Sequence, residues 1–171
     1  MQPYFGRRLE EIELWMIFTR VVLADDHAAV RLGIRIILER APDIAVVGEA
    51  SDGFQALRLV EDLSPDVLLL DMEMPGLKGV EVAQRLKAMG SPVRILALSS
   101  YDDKQYILGL LANGALGYLV KEEAPEKIVA AVRGVARGER GWVSQRIAAQ
   151  MATWDQQDKE SGGIDPTEIK A

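Results

Sequence analysis

The sequence VLLLDMEMPGLKG, residues 67–79, contains four apolar residues that run directly into a carboxylate. The run Val67–Leu70 shows no alternation between apolar and polar residues, which is typical of a strand covered on both faces. Asp71 follows at once, and Pro75 and Gly76 indicate a turn shortly afterwards. A carboxylate at the end of a buried strand is costly to remove from water, so we expect Asp71 to have polar or charged partners.

Four more short apolar runs have the same character, and helical patterns separate them. The runs are Arg20–Ala24, Ile44–Val47, Val93–Leu98 and Gly117–Val120. The apolar stripes with helical spacing are Val30, Ile34, Ile37 and Leu38; Leu57, Val60 and Leu63; Val82, Leu86 and Met89; Ile107, Leu110 and Leu111; and Ile128, Val132 and Val135. Strict alternation of strand and helix predicts right-handed crossovers and a parallel sheet. We therefore predict an α/β fold, a three-layer α-β-α sandwich with a five-stranded parallel sheet, over residues 19–138.

Composition limits the classes of protein to consider. The 171 residues are 49% hydrophobic, which is usual for a globular domain, and no cysteine is present to form a disulfide or a thiolate metal site. This composition fits a cytoplasmic location. The sequence has no apolar run long enough to cross a membrane. The net charge of −6 is unfavourable for binding nucleic acid, since phosphate contacts need clustered Lys and Arg.

The two flanks differ from the central domain. Residues 1–18 carry apolar side chains at helical spacing, which is consistent with a docked N-terminal helix and equally with an extension that is not native. Residues 139–171 predict a short helix through Val143, Ile147, Met151 and Trp154, followed by a polar linker.

Polar residues follow four of the five predicted strands, at the edge where ligands bind in open parallel sheets. They are Asp25 and Asp26 after the first strand, Asp71 after the third, Ser99 and Ser100 after the fourth, and Lys121 after the fifth. Singly, each is also consistent with a helix cap, a turn residue or a solvated charge. Together they bring three carboxylates to one lysine, and a divalent cation such as Mg²⁺ would relieve the remaining repulsion.

These residues carry a resemblance to a known family. Asp25-Asp26 in ADDH, Asp71 followed by MEMPG, Ser99 in LSSYDD, and Lys121 in GALGYLVKE resemble the receiver domain of two-component response regulators, in particular the NarL/FixJ type. The resemblance implies a CheY-like, flavodoxin-like topology. It implies that Asp71 is the phosphoacceptor for a sensor histidine kinase, that Lys121 and Ser99 contact phosphoryl oxygens, and that Ser99 and Tyr118 act as a switch.

The same resemblance implies a magnesium cofactor. Asp26 and Asp71 would bind Mg²⁺ directly, Asp25 through water, and Glu73 through its backbone carbonyl. Glu73 is bulkier and more acidic than the asparagine often found at its position, which leaves its effect on dephosphorylation open. His27, the only histidine, is interpreted as a surface residue of the first helical turn with no catalytic role.

The expected output is transcription regulation after phosphorylation, through homodimerisation and a C-terminal helix-turn-helix. Residues Ile164–Ala171, IDPTEIKA, are similar to the opening of a LuxR-like helix-turn-helix, which predicts that DNA is bound only through a domain absent from this chain. Such a receiver is a phosphoprotein of a phosphorelay and not an enzyme in the ordinary sense. The alternatives are a stand-alone receiver that acts through protein contacts and a Mg²⁺-dependent phosphatase with an aspartyl nucleophile.

Overall fold

The computed structural model describes residues 18–161 of the chain, in which strands and helices alternate. The elements are β1 (Thr19–Ala24), α1 (Ala28–Glu39), β2 (Ile44–Ala50), α2 (Gly53–Leu63), β3 (Val67–Leu70), α3 (Gly79–Ala88), β4 (Arg94–Ser99), α4 (Lys104–Ala112), β5 (Gly117–Val120), α5 (Pro125–Ala136), β6 (Trp142–Val143) and α6 (Gln145–Ser161). The predictions for residues 1–17 and for Ile164–Ala171 lie outside the described residues. No helix within residues 18–161 is both long and apolar enough to span a bilayer.

All strands are parallel and lie in the order β2-β1-β3-β4-β5-β6. From β1 the chain first adds β2 on one side and then adds β3 and the later strands on the other side. β1 and β3 are therefore neighbours in the sheet although β2 lies between them in the sequence. In open parallel sheets, ligands bind at the carboxyl ends of the strands, in the crevice where the strand order reverses. The predicted parallel sandwich is therefore confirmed.

Alternate residues of the strands face two separate hydrophobic layers. In β3, Leu68 and Leu70 belong to the layer under α2, α3, α4 and α6, whereas Val67 and Leu69 belong to the layer under α1 and α5. All four residues have no exposed surface. This double coverage explains why β3 is uniformly apolar in sequence.

Three sequence-based predictions need correction. The sheet has a sixth strand, β6, which extends it beyond the five predicted; Val143 pairs with Tyr118 there and does not lie in the predicted helix. A strand of two residues is too short to show a periodic pattern. Met89 is 58% exposed because α3 ends at Ala88 and the chain turns away at Gly90, whose φ is +66°.

Candidate functional site

Strand register brings Asp25 and Asp71 side by side. Ala24 in β1 pairs with Leu70 in β3, and Asp25 and Asp71 directly follow these two residues in the sequence. The Asp71 amide donates a hydrogen bond of 3.0 Å to the Ala24 carbonyl, which extends the ladder by one residue. Asp71 is only 3% exposed, so its carboxylate lies inside the crevice and not in bulk water.

The turn after β3 holds the Asp71 carboxylate in a fixed direction. Its Oδ1 accepts a hydrogen bond of 2.8 Å from the Met72 amide. The backbone then turns through Gly76, at φ +80°, and returns to Asp71 at the start of α3. A Cβ atom at Gly79 would lie 2.7 Å from the Asp71 carbonyl oxygen, so only glycine allows this close approach.

Lys121 is the cation that faces these acids. Its Nζ lies 2.7 Å from Asp25 Oδ2 and 3.2 Å from Asp71 Oδ2, and only 12% of its side chain is exposed. The strand pairing positions it, because the Lys121 amide donates to the Ser99 carbonyl at the end of β4. One largely buried lysine is therefore shared between two buried carboxylates.

The electrostatic environment disfavours a negative charge on Asp71. Burial raises the pKa of its carboxyl group above the ordinary value; Lys121 acts in the opposite direction and Asp25 raises the pKa further. Burial lowers the pKa of Lys121, but its hydrogen bond to Asp25 and its attraction to Asp71 outweigh burial, so that pKa is raised. One lysine thus does not fully compensate two desolvated carboxylates.

Asp26 is the most accessible acid of the cluster, with 29% of its side chain exposed. Its Oδ1 atom is nevertheless buried and accepts no hydrogen bond from any described residue. Asp25, Asp26, His27 and Asp71 each offer a ligand atom, and these four atoms lie within 4.8 Å of one another. An orphaned oxygen among excess negative charge is the environment that a hard divalent cation stabilises, so the residues present fit Mg²⁺.

Ser99 and Tyr118 are linked through the loop between β4 and α4. Ser99 is fully buried, and its Oγ accepts a hydrogen bond of 3.1 Å from the Tyr101 amide. The buried Tyr118 donates its hydroxyl to the Tyr101 carbonyl at 2.6 Å. Burial raises the pKa of Tyr118 to about 12, although a hydrogen bond with Ser99 acts to lower it. The backbone N–H and C=O of Tyr101 are therefore held by the two residues that the sequence predicts as a switch.

Asp26 and Ser99 do not act as the helix caps that the sequence also allowed. Helix α1 begins without a side-chain cap, so Asp26 does not cap it. Helix α4 is capped by Asp103, which accepts from the Gln105 amide at 2.9 Å, and not by Ser99. Ser100 is exposed and lies outside the cluster.

Two features of this region were not predicted from sequence. Ser144, at the start of α6, accepts a hydrogen bond from the Val120 amide with its hydroxyl and donates that hydroxyl to Glu123. On α6 itself, Gln150 donates to Asp102 in the β4–α4 loop at 3.1 Å, and Arg146 lies 3.7 Å from the same carboxylate. Helix α6 is therefore tied to the loop that carries Tyr101, and the sequence signal for this was only a helical pattern.

Comparison with known proteins identifies the family. The family model "Response regulator receiver domain" matches residues 21–133, which run from within β1 into α5. The chain belongs to the response regulator receiver domain family.

Individual relatives of this receiver agree. It is 42% identical over 120 residues to the transcriptional regulatory protein LiaR of Bacillus subtilis. The aligned region covers 70% of this chain and 57% of LiaR. The receiver domain of a putative response regulator NarL from Mycobacterium tuberculosis is 39% identical with a TM-score of 0.69, over 71% of this chain and 98% of that one. A LuxR-family response regulator from Aurantimonas is 32% identical with a TM-score of 0.75, and the match covers 81% of this chain and 98% of that one. The chain spans little more than half the length of the curated relatives that it matches first.

Proposed function

We propose that this receiver accepts a phosphoryl group on Asp71 from the phosphohistidine of a sensor histidine kinase. The observation that carries the proposal is the Asp71 carboxylate, buried at the switch-point crevice and 3.2 Å from the Lys121 ammonium. An Asp71 carboxylate oxygen attacks phosphorus and the bond from phosphorus to the kinase imidazole nitrogen breaks, with its electron pair left on that nitrogen. With the other ring nitrogen of the phosphohistidine protonated, the imidazole leaves as neutral histidine, and Asp71 becomes an aspartyl acyl phosphate.

The cofactor we propose is Mg²⁺, held by the carboxylates of Asp26 and Asp71, by Asp25 through water and by the backbone carbonyl of Glu73. When bound, the ion would neutralise charge on the transferring group and bring it to the nucleophile. The buried Asp26 Oδ1, which accepts no hydrogen bond from residues 18–159, supports this assignment. Lys121, already between Asp25 and Asp71, would keep one phosphoryl oxygen in place.

Phosphorylation would act as a switch through Ser99. Charge-assisted hydrogen bonds from Ser99 and Lys121 to the phosphoryl group are worth about 1.5–3 kcal/mol each, or about 3–6 kcal/mol together. Inverting a two-state population from 1:99 to 99:1 needs about 5.5 kcal/mol, so the two bonds are of the required size. Homodimerisation of the phosphorylated form would add to the bias.

The β4–α4 loop offers a route from the switch to the C-terminal helix. The Ser99 hydroxyl accepts a hydrogen bond of 3.1 Å from the Tyr101 amide. Moving this hydroxyl toward a phosphoryl group on Asp71 would break that bond. Asp102 follows Tyr101 directly and contacts Arg146 and Gln150 of α6. A displaced loop therefore changes the contacts of α6, the element that leads out of the receiver.

The output we propose is transcription regulation by a longer protein. LiaR is named as a transcriptional regulatory protein, and this chain covers 57% of its length. A net charge of −6 is consistent with DNA contacts being made by a helix-turn-helix outside these residues. If DNA is bound outside these residues, the role of the receiver is that of a phosphoacceptor. It would assist its own phosphorylation and dephosphorylation and turn over no separate substrate.

Phosphorylation by acetyl phosphate, followed on Phos-tag gels, tests the proposal. The wild-type receiver should give one shifted band with Mg²⁺ and none with EDTA, and Asp71→Asn should give none. Asp155→Asn is the matched control, because Asp155 is 73% exposed and contacts Lys159 on α6. Equal labelling of wild type and Asp71→Asn refutes the assignment. Sustained multiple-turnover release of phosphate from a small phosphate ester would favour the phosphatase alternative instead.

A further inference from the structure

The single histidine of the chain lies against the acid cluster, although phosphotransfer as described above does not use it. His27 Nδ1 is 3.0 Å from Asp26 Oδ1 and 3.4 Å from Asp25 Oδ1. The His27 amide donates to Asp25 Oδ1 at 2.8 Å, which fixes the main chain and directs the ring back over the acid pair. Packing against apolar neighbours does not account for this position, since 67% of the His27 side chain is exposed.

The contact between His27 and Asp26 is close, with 3.0 Å between His27 Nδ1 and Asp26 Oδ1. The same nitrogen belongs to the group of four ligand atoms, from Asp25, Asp26, His27 and Asp71, that lie within 4.8 Å of one another. Around an octahedral ion with bonds of about 2.1 Å, neighbouring ligand atoms are separated by about 3.0 Å. The spacing of these two atoms is that of two adjacent ligands of one ion.

We propose that His27 is a metal ligand of this site, through Nδ1, and that it shifts the metal preference of the receiver from Mg²⁺ toward Co²⁺ and Ni²⁺. This inference rests on the proposed function, because it takes the acid cluster to be the metal site of phosphotransfer. Carboxylate and water ligands suit Mg²⁺, whereas imidazole suits the later divalent transition metals. As a ligand, His27 would bind the ion through the Nδ1 lone pair and carry its proton on Nε2.

Metal titrations test the preference. By calorimetry on the chain without an affinity tag, His27→Ala should lower Ni²⁺ affinity by about tenfold or more, as expected when a metal site loses an ordered group. Mg²⁺ affinity should fall much less, so the ratio of the two affinities changes. The matched control is His27→Ala combined with Ala28→His, which keeps the composition and moves the imidazole by one position; it should not restore Ni²⁺ binding. An unchanged affinity ratio in His27→Ala overturns the proposal.

Pulsed EPR of the Cu²⁺-loaded chain tests coordination directly. Electron spin echo modulation from the remote imidazole nitrogen arises only when an imidazole binds the ion, and this chain has one histidine. We expect the modulation in wild type, its loss in His27→Ala, and its weakening in Asp26→Asn. Bound Cu²⁺ without the modulation, or a modulation unchanged by Asp26→Asn, overturns the role of His27 and leaves the phosphoacceptor proposal intact. Failure of the wild type to bind Mg²⁺, Ni²⁺ or Cu²⁺ would instead overturn the proposed metal-dependent function together with this inference.

Discussion

Replacing Asp71 with asparagine is expected to change the stability of the receiver in opposite directions with and without Mg²⁺. In EDTA the variant should be more stable than wild type at neutral pH. Burial raises the pKa of the Asp71 carboxyl group, so the folded state disfavours its charged form. Asparagine has nearly the same shape and no charge, and Lys121 keeps its contact of 2.7 Å with Asp25.

The pH dependence follows from the direction of this shift. A carboxyl group whose folded pKa exceeds the unfolded value binds more protons in the folded state between the two values, so wild-type stability falls as pH rises through that window. The advantage of Asp71→Asn is therefore complete above the raised folded pKa. It disappears as pH falls below the unfolded value, near 3.8.

Mg²⁺ should reverse the order of stability. A ligand that binds only the folded state, at a hundred times its dissociation constant, stabilises by about 2.7 kcal/mol. At about 2–4 °C per kcal/mol for a chain of this size, the wild-type melting temperature should rise by about 5–11 °C. The variant lacks one proposed direct ligand and should gain much less.

Thermal and urea unfolding in EDTA and in excess Mg²⁺ measure both effects. Asp155→Asn is the control, since an exposed acid remote from the cluster should change stability by no more than about 0.5 kcal/mol in either buffer. Equal Mg²⁺ stabilisation of wild type and Asp71→Asn would refute the metal assignment. A variant less stable than wild type in EDTA at neutral pH would refute the electrostatic account of Asp71.

Three further predictions concern the fold around the site. Ile147→Ala should cost about 2–5 kcal/mol in urea unfolding, because this fully buried α6 side chain packs into the core, whereas the exposed Gln156→Ala should be nearly neutral; equal effects would show that α6 is not docked. Tyr118→Phe should cost about 0.5–1.5 kcal/mol by removing the hydroxyl hydrogen bond to Tyr101, and an unchanged midpoint would contradict that bond. Gly117→Ala should lower the melting temperature and displace β6, since its Cβ would clash with the Trp142 carbonyl oxygen of β6; an unaltered amide spectrum of β6 would contradict the packing.

Much of the site was predictable because it depends on strand ends. Each predicted strand was found, although β4 is Arg94–Ser99, so Ser99 ends this strand and does not follow it as predicted. The residue after a strand takes its position from the register, as Asp25 and Asp71 do beside the Ala24–Leu70 pair. The side-chain directions were not predictable in the same way. Nothing in the sequence placed His27 Nδ1 against Asp26, because a residue at a helix start has several rotamers available.

The C-terminal part was harder to predict for a physical reason. Strand β6 has two residues and α6 is largely polar, so neither shows a strong periodic signal. Their docking depends on a few tertiary contacts, such as Ile147 in the core and Asp102 with Gln150. Tertiary contacts between distant segments leave no pattern in a single sequence.

Borohydride trapping of the phosphorylated receiver, followed by peptide mass spectrometry, tests the central claim most directly. Reduction of an aspartyl acyl phosphate converts that aspartate to homoserine, which marks the modified residue in the fragment spectrum. After treatment with acetyl phosphate and Mg²⁺, we expect homoserine at position 71 alone, and none when EDTA replaces Mg²⁺. Homoserine at Asp25, Asp26 or another carboxylate, with Asp71 unmodified, would contradict the assignment of Asp71 as the phosphoacceptor.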